Sequence, residues 1–188
     1  ADGQTVTGFD ILEDNVTKIV ELGGQEGVSP EDVASRVDVV ITSLPSVRAF
    51  HDVMTGENGL VAAAKDGLIV IECSTFPIAE KQAAHDALQA VGTIMLDCPI
   101  SGTGAQAVNK DLSVYGSGFE DAFNRCQPVF KGFANYAFYV GEFGNGSKMK
   151  FVANHLVHVH NVASAEAMVL GMKAGLDPQT IFDVIKVG

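Results

Sequence analysis

GNGSKMKFVAN, residues 144–154, divides the chain into two kinds of sequence. Gly144 and Gly146 turn the backbone, Ser147 is placed to cap, and a helical pattern begins. No proline interrupts it before Ala174. Met149, Val152, Leu156, Val159, Ala163, Ala167 and Leu170 recur at spacings of 3 or 4, which gives one apolar stripe. Lys150 and Asn154 stand four apart and so share a face. A helix of about 25 residues runs roughly 35–40 Å, which suits a strut that leaves one domain and founds another. Before this stretch strands and helices alternate. After it everything reads helical.

Of the 188 residues, 47% are hydrophobic and 19% charged, as in ordinary globular domains, enough for one α/β domain and part of a second. No apolar run approaches the ~20 residues of a membrane span. The net charge of −11, without a basic cluster, argues against a nucleic-acid partner. A few local donors can still hold an anionic ligand. Cys73, Cys98 and Cys126 are an odd count with no CxxC spacing, which reads as reduced thiols in a cytoplasmic compartment.

Taken in order, residues 4–10 read as a short strand ending in Asp10. Residues 16–22 read as a helix stopped by Gly23 and Gly24. Ser29-Pro30-Glu31-Asp32 starts the next helix, with a cap, a proline in the first turn and acids at the positive end of the dipole. VDVVITSL (37–44) and LIVIEC (68–73) are continuous apolar runs, the pattern of strands buried on both faces. Helical patterns lead to Met54 and cover 60–64 and 78–90, and 93–97 is another strand. The spacing implies right-handed crossovers and a doubly wound, Rossmann-like parallel sheet in an α/β fold. A loop at 101–104, a strand at 112–115, a helix over 120–130 and a strand at 136–140 complete it, with the domain boundary near residue 143. Residues 178–187 form a further helix.

Ligands of such sheets lie beyond the carboxyl ends of the strands. Those ends carry Asp10, Ser43 with Pro45, Ser74 with Thr75, and Ser101 with Gly102, which together describe a dinucleotide cleft. The expected GxGxxG turn follows no strand here, and Gly144-Asn145-Gly146 comes too late and lacks the third glycine. The chain therefore reads as starting at the second strand of the fold, and its helical portion as the beginning of a larger helical domain.

The order of motifs resembles the β-hydroxyacid dehydrogenases, the family of 3-hydroxyisobutyrate dehydrogenase and 6-phosphogluconate dehydrogenase. The stretches are VITSLP (40–45), ECSTFP (72–77), DCPISG (97–102), GNGSKMKFVAN (144–154) and AEAMVLGMKAGLDP (165–178). Each alone is weak, and the five in order are specific for the family. The resemblance implies a dinucleotide-binding domain over 1–143, and a long helix opening an all-helical domain over 144–188. It also implies metal-free oxidation of a small 3-hydroxy acid, of the hydroxyisobutyrate or glycerate type, by NAD(P). By position, Ser101 and Gly102, with Thr103 beside them, match the contact to the substrate carboxylate. Lys150 matches the catalytic lysine and Asn154 the asparagine one turn on. Thr75 matches the threonine beside the nicotinamide, and Leu44-Pro45 the turn lining the cofactor. Thr103, Gln106 and Lys110 depart from the family's usual small residues, and Ala153 replaces the first asparagine of its usual pair.

Elementary chemistry is consistent with these roles. Hydride leaves an alcohol only if the hydroxyl proton also leaves, and a lysine can take it when burial or nearby positive charge lowers its pKa. Ser101 and backbone N–H groups near Gly102 could hold a carboxylate, and Asn154 could orient the hydroxyl. Asp10 suits the ribose 2′-OH and favours NAD over NADP. It could instead cap the following helix, Ser101-Gly102 could be a plain turn, and Lys150 a solvated lysine. His155, His158 and His160 do not share one helix face, so no metal site is expected. An apolar helical segment implies a homo-oligomer formed through it. The competing reading is a non-catalytic binding or assembly module of the same fold.

Overall fold

The computed structural model describes residues 3–187. Its backbone divides into two compact units after Lys150.

In the first unit, β1 (Thr7–Gly8) leads to α1 (Glu13–Glu21), and β2 (Gln25–Glu26) returns parallel to β1. Then come α2 (Pro30–Arg36), β3 (Val39–Thr42), α3 (Val47–Thr55), α4 (Leu60–Ala63), β4 (Ile69–Glu72), α5 (Ile78–Gln89) and β5 (Ile94–Asp97). Strands β3, β4 and β5 pair parallel in that order. Finally β6 (Ile100–Ser101), α6 (Gly104–Val108), β7 (Ser113–Gly116), α7 (Glu120–Arg125), α8 (Gln127–Phe130) and β8 (Tyr136–Tyr139) build a mixed sheet, with β7 antiparallel to β6 and parallel to β8.

The run at 68–73 becomes a strand covered on both faces, whereas the run at 37–44, expected to be the same, forms edge strand β3 with Val40 and Thr42 buried and Ile41 46% exposed. Leu68 and Val70 enter one core with Val40, Phe50, Met54, Leu60, Leu88 and Met95. Ile69, Ile71 and Cys73 enter the other with Leu96, Val114, Phe123 and Phe130. The period-2 alternation of β4 thus splits between two helix layers, as a doubly wound sheet requires. Ser29 accepts from Asp32 N at 3.0 Å and caps α2, which packs against both β1 and β3.

Several elements differ from the sequence reading. The strand expected over 4–10 is formed only at Thr7–Gly8, beside the unforeseen β2. The loop at 101–104 begins as β6 and enters α6. The helix expected over 120–130 is two helices that meet at Cys126. Pro128 is the cause, because it lacks an N–H and its ring would collide with the preceding turn. Tyr136 and Phe138 are half exposed and stack on each other at 5.9 Å along edge strand β8.

The second unit takes up the rest of α9 (Asn145–Lys173), an unbroken helix of 29 residues, and adds α10 (Pro178–Ile185). Asp177 caps α10, accepting from Thr180 N at 2.8 Å. Gly171 lets α10 come close, since a Cβ there would lie 2.5 Å from Ile181 Cδ1. Among the described residues no helix is long and apolar enough to cross a membrane.

Candidate functional site at the strand ends

Parallel pairing puts Thr42, Glu72 and Asp97 side by side at the ends of β3, β4 and β5. Neighbours in register share a face, so two carboxylates stand next to each other in the interior, both fully buried. Lys81 lies between them. Its Nζ donates to Asp97 Oδ1 at 2.7 Å and to the Ser74 carbonyl at 2.6 Å. It also forms an ion pair with Glu72 Oε2 at 2.5 Å, outside hydrogen-bond direction. Burial alone would push the Lys81 ammonium down, but the charges of Glu72 and Asp97 outweigh it and hold its pKa above the usual lysine value.

Asp97 reaches further. Its Oδ2 accepts from Ser147 N at 2.7 Å, and its Oδ1 accepts from Ser147 Oγ at 2.8 Å. Ser117 Oγ donates to the Asp97 carbonyl at 3.1 Å and accepts from Gly146 N at 2.9 Å. The head of α9 therefore rests on a buried carboxylate, the favourable charge for a helix N-terminus. Ser147, expected to cap the helix, is instead its third residue and is itself held by Asp97. Gly146 makes the approach possible: a Cβ there would meet the Tyr115 carbonyl at 2.3 Å and the Asp97 carbonyl at 2.5 Å. On the other side, Ser74 N donates to Glu72 Oε1 at 2.9 Å, and Ser74 Oγ accepts from Leu44 N at 2.8 Å. One buried polar network thus joins the turn at Leu44-Pro45, the turn at Ser74-Thr75, the end of β5 and the head of α9.

The residues singled out from sequence separate into two groups. Asp10, Thr103 and Ser74 are committed internally. Asp10 accepts from Leu12 N and from Asn15 Nδ2, both at 2.9 Å, so it tethers the start of α1. Those two bonds, Leu12 first, hold its carboxyl below the usual carboxylate range. Two of its lone-pair positions remain for a ribose hydroxyl. Thr103 caps α6 in a reciprocal box with Gln106. Ser101, Thr75, Lys150 and Asn154 form the second group, whose side chains make no hydrogen bond or ion pair among the described residues. Gly102 sits at φ +135, where a side chain is strained, and a Cβ there would lie 2.5 Å from Leu112 Cδ2. Lys150 is half-buried one turn beyond Ser147, and burial holds its pKa below the usual lysine value. Asn154 follows one turn along the same helix.

The structure links the turns bearing Leu44 and Thr75 to the helix head bearing Lys150, and Ser101 lies four residues beyond the linking Asp97. Among the described residues no hydrogen bond or ion pair ties Asp10 to that group; it lies two residues beyond β1, which pairs with β2 in a separate two-stranded sheet. An open hollow of about 490 Å³ lined by Asn109, Lys110, Asp111, Lys131, Ala134 and Asn135 contains none of these residues. The strand ends, where free polar groups gather, are the better candidate. The buried thiols are poor nucleophiles, since burial pushes Cys73 up to about 12 and Cys126 up to about 11.

Sequence reasoning missed Lys81, Glu72, Asp97 and Ser117 as a group. A signal was present: Lys81 falls in helical register with the buried Ala84 and Leu88, so a charge occupies an apolar face.

Residues 1–141 match the family described as the NAD binding domain of 6-phosphogluconate dehydrogenase. Residues 144–188 match that described as the NAD-binding domain of NADP-dependent 3-hydroxyisobutyrate dehydrogenase. L-threonate dehydrogenase of Cupriavidus necator is 34% identical over 184 residues, 97% of this chain and 62% of that protein. Mitochondrial 3-hydroxyisobutyrate dehydrogenase of Mus musculus is 31% identical over 180 residues, covering 95% and 53%. The crystallised Mycobacterium tuberculosis 3-hydroxyisobutyrate dehydrogenase with L-serine superposes with a TM-score of 0.89 at 30% identity, over 100% of this chain and 63% of that one. The chain spans between about half and two thirds of the length of these relatives. The motif order, the doubly wound sheet and the family matches agree: this chain belongs to the β-hydroxyacid dehydrogenase family.

Proposed function

We propose that the full-length protein oxidises a small 3-hydroxy acid with NAD, and that Lys150 takes the hydroxyl proton. The observation that carries this is the state of Lys150: half-buried, its charged form disfavoured, and without an internal partner among the described residues. A structural lysine in such a place would have found a carboxylate. One with no partner is kept for a ligand.

An oxidised nicotinamide supplies the hydride acceptor. Thr75, exposed at the end of β4, and the Leu44-Pro45 turn would line it. Ser101, with its hydroxyl free, and the strained backbone at Gly102 would receive the substrate carboxylate, with Thr103 fixing the loop through its cap. Asn154 would orient the hydroxyl toward Lys150. Relatives named for threonate, serine and 3-hydroxyisobutyrate all act on small hydroxylated carboxylates, which suits such a site. The test is formation of NADH by the full-length protein with 3-hydroxyisobutyrate, L-threonate, L-serine and glycerate. Activity with none of them would count against the reading.

NAD is expected to be preferred over NADP. Asp10 offers a carboxylate to a 2′-OH and repels a 2′-phosphate, and the exposed Ile11 and Leu12 that follow it bring no cation. Arg48 is exposed beside Asp52 on α3, and Arg36, which lies against β2, is committed to Asp32, Gln25 and the Glu26 carbonyl. Comparing kcat/KM for the two cofactors checks this, and a clear NADP preference would overturn the role of Asp10.

The helical segment is proposed to assemble a homo-oligomer. Leu156, Val159, Leu170, Phe182 and Ile185 are all about half exposed or more, an apolar surface that favours burial. Light scattering of the full-length protein should give a multiple of the monomer mass, and a monomer at micromolar concentration would remove the proposal. Three free thiols suit a reducing, cytoplasmic compartment.

A further inference from the structure

We propose that Lys81, fully buried, is a positioning residue for the reaction: by bridging Glu72 and Asp97 it fixes the carboxylate on which the head of α9 rests, and so places Lys150. The inference rests on the catalytic reading of Lys150 given above.

Three observations carry it. First, Glu72 and Asp97 are neighbours in register and fully buried, so without a cation between them they repel in a medium that screens poorly. Lys81 is that cation, itself fully buried, and among the described residues it is the one cation that touches either carboxylate. Second, Asp97 uses both carboxylate oxygens: Oδ1 accepts from Lys81 and Ser147 Oγ, and Oδ2 accepts from Ser147 N. Its orientation is thus set jointly by Lys81 and by the helix head, and a rotation that lost one partner would disturb the other. Third, Gly146 leaves no slack, because the helix head lies directly on the backbone of Asp97 and Tyr115. A shift of Asp97 is therefore transmitted to Gly146 and Ser147, and Lys150 follows one turn later in the same rigid helix.

The triad carries one more negative than positive charge, and the N-terminus of α9 offsets the excess. This explains why a buried ion pair is extended to a helix end rather than closed upon itself. It also gives the network a consequence for function: the charge balance of the core and the seat of the helix are one interaction.

The test compares Lys81→Met with the unmutated full-length protein by hydrogen exchange and by steady-state kinetics. Exchange in peptides covering residues 142–150 should rise by at least about tenfold, while peptides covering β3 and β4 change less than about twofold. The kcat should fall by at least about tenfold, with KM for NAD within about twofold. Should Lys81→Met fail to fold, Lys81→Met/Glu72→Gln keeps the native net charge of the triad and is measured in its place, with the same result expected. A folded variant with unchanged exchange at the helix head overturns the proposal. Raised exchange with unchanged kcat overturns the positioning role. If Lys150→Ala itself keeps its kcat, it is the catalytic reading of Lys150 that has failed, and the exchange measurement alone then decides whether Lys81 seats the helix.

Discussion

Lys150→Ala in the full-length protein is expected to lower kcat by roughly 10²–10⁴, the usual worth of a positioned acid–base group, with cofactor binding nearly unchanged. The expectation follows from the environment of the ammonium. Burial disfavours its charged form, and among the described residues no carboxylate restores it. A group whose pKa is depressed in this way has more of its neutral form at any given pH. For oxidation, kcat/KM should therefore climb with pH and level off below the ordinary lysine value of 10.5. Lys150→Arg should not rescue, because a guanidinium stays protonated. Asn154→Ala should cost activity as well, and the double variant should lose less than the two single effects combined, since both would act on one hydroxyl. If Lys150 only bound the substrate carboxylate, Lys150→Ala would raise KM and spare kcat, and arginine would be tolerated. Steady-state kinetics on the four variants separates the two cases; near-normal kcat in Lys150→Ala rules out the catalytic role.

The second large effect concerns stability. Asp97→Ala is expected to destabilise the strand-bearing unit by about 3–5 kcal/mol, the usual cost of removing one partner from a buried charged cluster. The substitution strands the Ser147 amide and hydroxyl and removes one anionic partner from Lys81, all of them buried. Asp97→Asn should cost less, because one oxygen can still accept, while its amide N–H₂ meets donors rather than acceptors. Urea unfolding followed by circular dichroism measures both. A loss below about 1 kcal/mol for Asp97→Ala would mean that the network is relaxed by water or rearrangement rather than held as a unit.

Much of the fold is written locally. Continuous apolar runs at 37–44 and 68–73 read as strands buried on both faces, and the alternate residues of β4 do enter two separate cores, while β3, at the sheet edge, leaves Ile41 exposed. Ser29 and Pro30 start α2 where their chemistry requires. Where a local rule was missed, the cause was also local: Pro128 divides a helix that apolar spacing alone would continue. Capping and periodicity act within a few residues of one another, so a single sequence contains both sides of each interaction.

The family too was legible, since five short motifs in one order are hard to meet by chance. What those residues do inside the fold was not. Asp10, Ser74 and Thr103 read as polar groups available to a ligand, and Ser147 as a helix cap. The tertiary structure binds all four to the protein itself, and leaves Ser101, Thr75, Lys150 and Asn154 with no such bond among the described residues. Lys81 carried no expectation from the sequence, and only the pairing of β4 and β5 places two carboxylates beside it. The reason is distance along the chain. Lys81 and Asp97 are 16 residues apart, and Asp97 and Ser147 are 50. Interactions over such separations depend on which strands pair and in what register, and no local preference specifies that. By itself the sequence determined the elements, their order and the family. The packing decided which polar groups are satisfied within the protein and which remain for chemistry, because satisfaction in a buried core depends on what lies opposite, not on what comes next.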